Sequence, residues 1–409
     1  MNKAIKKIII AIVALLVAVL SVFASSYAIF NRLVDANRLI SVNTGNWSNF
    51  AEEFIYENND DLHILQVGNG YEYYNCVTIT GYVGRKTSVV FPSVVYDKND
   101  GNKLKFVTKI GENAFSKSNH IEGTNKNITS MTFRKTDNYD YALTEIMPYA
   151  FRTSDIKDFS TLPTSVQSIG REAFAESMVE MINLEDVSVI GEKAFMSSAL
   201  KHTAESVLIL PNQIKEIGNF AFADCDNLQK VYVGDSTFSI GTGAFSYSNN
   251  LQEISVSNIN THYKSFNGVL YTNDYNMKLL QYPIGLKNNT FNFPKDVACV
   301  ASHSFAESLL TTISFSNSKI TTIEDDAFRL SKNIADINVG KSIEYIGAGA
   351  FAECVSLKSV YIDNSAKTPA KLGTEAFGTG VGIVINVPQN LYSTYTANAD
   401  WNKYQIILN

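Results

Sequence analysis

Histidine, cysteine, tryptophan and proline are all scarce in this chain of 409 residues, which has five, four, two and eight of them. The histidines are scattered, and none stands four residues from another with a glutamate between them, as a helical zinc motif requires. Charged residues make up only 18% of the chain, and the net charge is -6. A negative surface does not favour nucleic acid. We therefore expect no metal site, no cofactor and no nucleic-acid partner.

Long apolar runs are also rare, the exception being Ile8 to Ala24 near the N-terminus. Three lysines precede this run and small residues around Ala28 follow it, which is typical of secretory signals. Continued to Phe30, the run has 23 residues, long enough to span a bilayer as a helix. Residues 1–28 are therefore predicted to be a signal peptide or a retained N-terminal membrane anchor. Either one places the rest of the chain outside the cell.

One motif is abundant. Between Ile110 and Phe377 the pattern Ile-Gly-x-x-Ala-Phe, strict or varied, recurs ten times, and four intervals between successive motif phenylalanines are 23 residues long. Such a period is typical of solenoids, in which each repeat buries its apolar face only by stacking on its neighbours. The ten motif phenylalanines are Phe115, Phe151, Phe174, Phe195, Phe222, Phe245, Phe305, Phe328, Phe351 and Phe377.

A single repeat has two parts with different periods. In the segment from Phe328 to Phe351, residues Ile337 to Val339 alternate like a short strand, and Ile346 to Phe351 indicates a turn followed by a helical or 3-10 segment. Three residues after each phenylalanine stands a small residue, which we expect to fill a tight turn and bond the local backbone. The column reads Ser118, Ser154, Ser177, Ser198, Cys225, Ser248, Ser308, Ser331, Cys354 and Gly380.

With strands of the form Leu228-x-x-Val231-x-Val233, these features resemble the BspA-type, or Treponema-type, leucine-rich repeat over about residues 71–409. The resemblance implies an α+β repeat solenoid of about ten repeats, with short parallel strands stacked along it. It also implies N-terminal cap strands at 71–109, leucine-rich repeats at 110–386 and a C-terminal cap at 387–409. Residues 31–70 fall outside the resemblance and have no assigned role.

The interval from Phe245 to Phe305 is 60 residues, which indicates an insertion at 257–293. Within it, residues 268–272 and 277–282 are predicted to form a β-hairpin. Three aromatic residues of this region are candidates for a partner-binding surface: Tyr263, Tyr271 and Tyr275. The alternative is that the hairpin packs these rings on the neighbouring repeat.

A second candidate surface follows the strands. Residues between the two apolar positions of each strand should face outward and stack from repeat to repeat, over roughly 50 Å at about 4.8 Å per strand. This length suits a large ligand, although the same pattern fits a strand face that contacts only water. The outward positions are Thr132, Asn183, Tyr232, Ser255, Ser314, Asn338 and Tyr361.

Several chemically suggestive residues have simpler explanations. Cys225 and Cys354 are four repeats apart, about 19 Å at ~4.8 Å per strand, and a disulfide requires less than about 7 Å. We expect all four cysteines to be free, buried thiols. His303 occupies a variable position and is expected to be exposed. The segment from Asp97 to Gly101 lacks the spacing of a calcium loop and is predicted to be a hairpin turn.

No cluster of titratable residues suggests catalysis, and the resemblance implies no enzyme. It implies a non-enzymatic protein, secreted or on the cell surface, that mediates recognition and adhesion. The partner would be a protein or glycan on a host or neighbouring cell, with the membrane involved only through a possible N-terminal anchor. The alternative is a self-associating structural protein of a surface layer.

Overall fold

The computed structural model describes residues 53–409 apart from 68–69, 98–99, 119–122, 125–126, 134–139, 317, 367 and 380–381. The predicted signal or anchor at 1–28 lies outside these residues. The strands that precede the insertion are β1 Phe54–Val67, β2 Gly70–Tyr82, β3 Ser88–Phe91, β4 Val94–Asp97, β5 Lys103–Ile110, β6 Ser130–Phe133, β7 Glu145–Ile146, β8 Asp158–Phe159, β9 Ser168–Ile169, β10 Met181–Ile182, β11 Val189–Ile190, β12 Val207–Leu210, β13 Glu216–Ile217, β14 Lys230–Val233, β15 Ser239–Ile240 and β16 Glu253–Val256.

The remaining strands run from the insertion to the C-terminus. They are β17 Tyr263–Phe266, β18 Val269–Thr272, β19 Lys278–Gln281, β20 Cys299–Val300, β21 Thr312–Ser314, β22 Thr322–Ile323, β23 Asp336–Val339, β24 Tyr345–Ile346, β25 Ser359–Ile362, β26 Lys371–Leu372, β27 Val384–Val387 and β28 Gln405–Leu408. A 3-10 turn, Ile284–Leu286, and one helix, α1, Tyr392–Ala397, complete the described elements.

Each repeat places two strands on two sides of the solenoid. On one side, the end of β5 and the two-residue strands β7, β9, β11, β13 and β15 pair in parallel, and each ends at the isoleucine of a motif. The longer strand lies on the other side, where β12, β14 and β16 form one sheet and β21, β23, β25, β27 and β28 form another. The predicted stacking of short parallel strands is therefore present.

The segment around each motif phenylalanine is a turn, hydrogen-bonded to the equivalent turn of the next repeat, rather than a helix. In the repeat of Phe151, the N–H groups of Tyr149, Phe151 and Thr153 donate to carbonyls of the next repeat, at 2.7–2.9 Å. Tyr149 and Thr153 have φ of 61° and 58°. This left-handed backbone directs alternate N–H groups out of the turn and toward the neighbouring repeat. Since α1 is the only α-helix in the described residues, the expected α+β class is corrected to a β-solenoid.

The motif phenylalanines form a stack of parallel rings along the axis. From Phe115 to Phe245 and again from Phe305 to Phe377, neighbouring ring centroids are 4.8–5.7 Å apart, and most of the rings are fully buried. Tyr282 joins the stack, because its ring lies parallel to that of Phe305 at 4.9 Å. With this tyrosine the solenoid has eleven turns, one more than the sequence predicts.

Both ends of the solenoid are covered. At the N-terminal end β1 pairs antiparallel with β2, so residues 54–67, which have no role assigned from the sequence, are the first strand of the main sheet. At the other end Trp401 is fully buried, its indole N–H donates to the Ala370 carbonyl at 2.7 Å, and its ring lies 5.8 Å from that of Phe377. β4 and β5 pair antiparallel around Gly101, which confirms the predicted hairpin turn.

The insertion contains three antiparallel strands, β17, β18 and β19, where the sequence predicts two. A turn at Asn267 and Gly268, both with positive φ, joins β17 to β18 and suits the twist of the strands. The insertion also divides the hydrophobic core, because one buried cluster extends from Phe54 to Leu270 and another from Val269 to Tyr404. The solenoid therefore has an N-terminal and a C-terminal half.

Candidate binding surface

The outward strand positions form two separate ladders. The central ladder consists of three residues in register on β12, β14 and β16: Ile209, Tyr232 and Ser255. Five residues in register on the sheet from β21 to β28 form the C-terminal ladder: Ser314, Asn338, Tyr361, Asn386 and Ile407. The expected continuous ladder of 50 Å is therefore corrected. The insertion separates the two sheets, since β16 ends one and β21 begins the other.

The remaining two predicted positions lie outside both ladders. Thr132 is half-buried and stands opposite Val90 in the two-stranded sheet of β3 and β6. Asn183 follows β10, and its amide donates to the Leu162 carbonyl at 2.9 Å while its Oδ1 accepts the Glu185 N–H at 3.1 Å. Because both ends of this amide are bonded within the turn, Asn183 stabilises the local backbone.

Sequence reasoning missed three members of the ladders: Ile209, Asn386 and Ile407. Ile209 and Ile407 are exposed, whereas Asn386 is buried and its amide is 3.5 Å from the Val360 carbonyl. The apolar residues on either side of Ile209 make β12 read as a continuous apolar run, Val-Leu-Ile-Leu, which hides the alternation. The observed burial of β12 alternates, so a two-residue period would have identified Ile209 as an outward residue.

The three tyrosines of the insertion have different environments. Tyr263 is buried, and its hydroxyl accepts the Ile240 N–H at 2.8 Å and donates to the Phe238 carbonyl at 3.3 Å. Tyr271 is fully buried, and burial raises its pKa. Tyr275, by contrast, is 95% exposed in the turn between β18 and β19. Burial therefore removes Tyr263 and Tyr271 from the candidate surface as packing residues, whereas Tyr275 remains accessible.

The insertion also shortens one turn of the solenoid. Leu279 pairs with Val300, but Tyr282 follows Leu279 by three residues whereas Phe305 follows Val300 by five. The Tyr282 N–H nevertheless donates to the Ser304 carbonyl at 2.9 Å, as the Phe305 N–H does to that of Ala327 at 2.8 Å. The missing two residues leave a cavity of about 70 Å³ lined by Gly241, Gln281, Ala301 and other residues. We call this shortened turn, residues 279–282, the joint.

His303 lies next to the shortened turn and contacts residues of the preceding repeats. Its Nδ1 lies 3.0 Å from the hydroxyl of Tyr247 in the repeat on the other side of the joint, and its ring lies 5.1 Å from that of Phe220. Burial is the main cause that lowers the pKa of this imidazole. The expectation that His303 is exposed is therefore wrong.

All four cysteines are free thiols, as predicted, but only three are buried. Burial raises the pKa of Cys225 and Cys354 to about 12, so these residues remain protonated and unreactive at neutral pH. Each donates to the phenylalanine carbonyl of the preceding repeat, at 3.1 and 3.3 Å. Ser331 makes the same bond at 2.8 Å, so this column links neighbouring repeats as well as filling the turn. Cys299 is half-buried, which corrects the expectation for that residue.

The described residues provide neither a metal-binding cluster nor a membrane-spanning helix. No group of three or more His, Cys, Asp or Glu side chains among them is arranged to hold a metal ion. Likewise, none of the helices in this part of the chain combines the length and the apolar character that crossing a membrane requires.

The comparisons with known proteins agree with this architecture. The model of the BspA type leucine rich repeat region matches six copies, at residues 102–204, 202–288 and 284–380. A leucine rich cell surface protein from Faecalibacterium prausnitzii is 21% identical, with a TM-score of 0.50 over 87% of this chain and 95% of that one. No curated protein matches the chain.

Two more solved structures share the fold. The pneumococcal vaccine antigen PcpA is 18% identical, with a TM-score of 0.54 over 87% of this chain and 98% of that one. A leucine-rich repeat protein from Bacteroides ovatus is 21% identical, with a TM-score of 0.51 over 81% and 82%. Because the family model covers most of the repeats seen in the structure, the chain belongs to the BspA-type leucine-rich repeat family.

Proposed function

We propose that this protein is a non-enzymatic recognition protein, exported to the cell surface or secreted. It binds a protein or glycan on a host or neighbouring cell and thereby mediates adhesion. Two relatives support an exported role, because one is described as a cell surface protein and another as a vaccine antigen. The predicted signal or anchor at residues 1–28 agrees with it.

The observation that carries the proposal is the C-terminal ladder. Its five residues stand in register on one uninterrupted parallel sheet, which sets successive side chains about 4.8 Å apart. Tyr361 is half-buried in this row, and Tyr232 of the central ladder is 37% exposed. Tyrosine is enriched at interfaces because a rigid ring supplies contact area and its hydroxyl can hydrogen-bond. A row of this kind suits an extended protein or glycan surface.

A binding screen of the full chain against matrix proteins and glycans tests the proposal. For a ligand found in the screen, we expect Tyr361→Ser to weaken binding by about tenfold or more, as removal of a central interface tyrosine does. The matched control is Tyr96→Ser, an exposed tyrosine on β4 outside both ladders. A chain that binds nothing, or that binds equally well in both variants, contradicts the proposed surface.

The second candidate is a self-associating protein of a surface layer. The polar residues Ser314 and Asn338 favour it, because their side chains could hydrogen-bond to another chain. Layer formation requires open-ended contacts, so assemblies should keep growing with protein concentration. Light scattering that shows no species larger than a small closed oligomer excludes this function and leaves recognition in place.

A further inference from the structure

The hairpin of β1 and β2 has an exposed apolar face. On β1, Leu62 and Ile64 are 63% and 51% exposed, and on β2 Tyr71 is 53% exposed. Ile64 stands opposite Tyr73 in the register of the two strands, so these side chains share one face. The opposite face is packed, since the His63 ring lies 4.3 Å from that of Phe106. An apolar cluster of this kind on a surface marks a contact site more often than a solvated face.

The same strand is the edge of the main sheet. In the described part of the chain β1 has a partner strand on one side only, and the sheet order ends at it. Natural proteins usually protect such an edge with lysine, proline or inward-pointing charge. Residues 62–65, Leu-His-Ile-Leu, have neither proline nor an acidic or basic charge at neutral pH. The edge and the exposed apolar face therefore coincide at Leu62 and Ile64.

We propose that this edge is a dimer interface for a second copy of this chain, formed by antiparallel pairing of β1 with β1. Pairing centred on His63 places Leu62 opposite Ile64 of the second copy, and Ile64 opposite its Leu62. β1 bulges between Asn59 and Leu62, so Asp60 and Asp61 stand outside this regular pairing and no two carboxylates meet across it. Because the contact is self-complementary, it closes at two copies and leaves both strand ladders free.

The neighbouring charges fit this arrangement. Asp61 points back into its own chain, where its carboxylate accepts from the Thr108 hydroxyl at 2.8 Å and lies 3.4 Å from the Lys109 ammonium. This internal pairing keeps its charge away from the edge. The chain has an overall charge of -6, which disfavours contact between copies, so the interface must lie on an uncharged stretch such as residues 62–65.

Sedimentation of the full chain in a mild detergent, over a wide range of concentration, tests the proposal. We expect a monomer–dimer equilibrium whose dissociation constant rises about tenfold or more in Ile64→Lys, because a lysine in the new strand pair would lose its hydration. Val355→Lys is the control, since Val355 is also an exposed apolar residue, at 78%, but lies in a turn of the C-terminal half. A monomer at every concentration, or equal dissociation constants for the two variants, overturns the proposal.

Cross-linking tests the strand pairing itself. In the double variant Leu62→Cys/Ile64→Cys, mild oxidation should join each new cysteine to the opposite one of the second copy and give a covalent dimer. The single variant Val355→Cys should remain monomeric under the same conditions. A dimer that resists Ile64→Lys and does not cross-link at these positions would have its interface elsewhere, which also overturns the proposal. These readouts are independent of ligand binding by the ladders.

Discussion

The two halves of the solenoid use the same turn but differ on the side of the long strands. In the C-terminal half the long strands form a single five-stranded sheet, whereas in the N-terminal half they are divided among three smaller sheets. The intervals between phenylalanines are 23, 23 and 26 residues after Phe305, and they range from 21 to 36 before Phe245. The repeats therefore differ in length on the side of the long strands, which carries the candidate binding residues, whereas the turn on the other side recurs with little change.

The joint adds a second difference, because the sheets and the hydrophobic core are both interrupted near it. Sheets end at β15 and β16, the buried core divides, and the turn next to Phe245 is two residues short. Elsewhere a turn donates up to three backbone hydrogen bonds to the next turn, whereas the described turn of Tyr282 donates one, from the Tyr282 N–H. In a solenoid, stability is approximately a sum of terms between neighbours. A weak interface at the joint should therefore let the halves unfold separately.

The largest expected effect comes from removing one ring on each side of the joint. Phe195→Ala and Phe328→Ala should each cost about 3–5 kcal/mol, because both rings are fully buried and their removal leaves a cavity between stacked neighbours. We expect Phe195→Ala to lower only the transition of the N-terminal half and Phe328→Ala only that of the C-terminal half. Denaturant unfolding combined with limited proteolysis identifies which half opens first. A single transition shifted equally by both variants would show that the joint transmits stability fully.

A smaller effect is expected at the glycine position of the motif. A Cβ on Gly347 would lie 2.4 Å from the Asp325 nitrogen, so Gly347→Ala should cost about 1–3 kcal/mol through overpacking. Ala301 occupies the same position beside the joint, where it lines the cavity left by the short turn. Ala301→Gly should therefore cost only about 0.5–1 kcal/mol, mainly through backbone entropy. Thermal unfolding of both variants measures the contrast, and similar losses would contradict it.

The sequence was sufficient for the parts of the fold that repeat. The spacing of phenylalanines predicts the solenoid, the ring stack and the column of small residues, because each of these depends on contacts between equivalent positions. The sequence predicts partly helical turns, but in six of the ten motif turns two non-glycine residues, such as Tyr149 and Thr153, adopt left-handed backbone that propensity does not anticipate. Tyr282 could have been found by its distance of 23 residues from Phe305.

Less of the candidate site could be predicted. Alternation along a strand identifies which side chains point outward, but it does not reveal where sheets end, so the ladder was expected to be continuous. The fates of Tyr263 and Tyr271 depended on how the insertion folds over β15 and β16, which involves contacts without a repeating pattern. His303 was misjudged for the same reason. Its environment is created by a deletion in a neighbouring turn rather than by its own repeat.

The bond across the joint should have a modest effect on stability. Tyr247→Phe removes the hydroxyl that lies 3.0 Å from Nδ1 of His303, at a cost of about 1 kcal/mol for one hydrogen bond. We expect this variant to widen the gap between the unfolding transitions of the two halves, because the bond connects them. Tyr96→Phe, on an exposed ring of β4, is the control and should change neither transition. An unchanged gap would mean that the bond does not couple the halves.

The smallest expected effect is a dependence on pH that differs between the halves. Burial lowers the pKa of His303 at the joint and of His202 in the N-terminal half below the ordinary value of 6.5. The unfolded chain therefore binds more protons than the folded one below that pH, so stability is complete above about 6.5 and falls as the folded-state pKa is approached. Asp326 opposes and Arg329 reinforces the lowering at His303.

Unfolding of His303→Gln and His202→Gln at pH 7 and pH 5 separates the two contributions. Each variant should lose part of the acid sensitivity of the wild-type chain, and the shift in midpoint should be smaller than that caused by Tyr247→Phe. Because protonation puts a charge on the half-buried ring of His303, where it contacts Tyr247 and Phe220, acid should also widen the gap between the two transitions in the wild type but not in His303→Gln. If His202→Gln abolished that widening instead, acid would be acting within the N-terminal half, and the bond across the joint would not be the link between the halves.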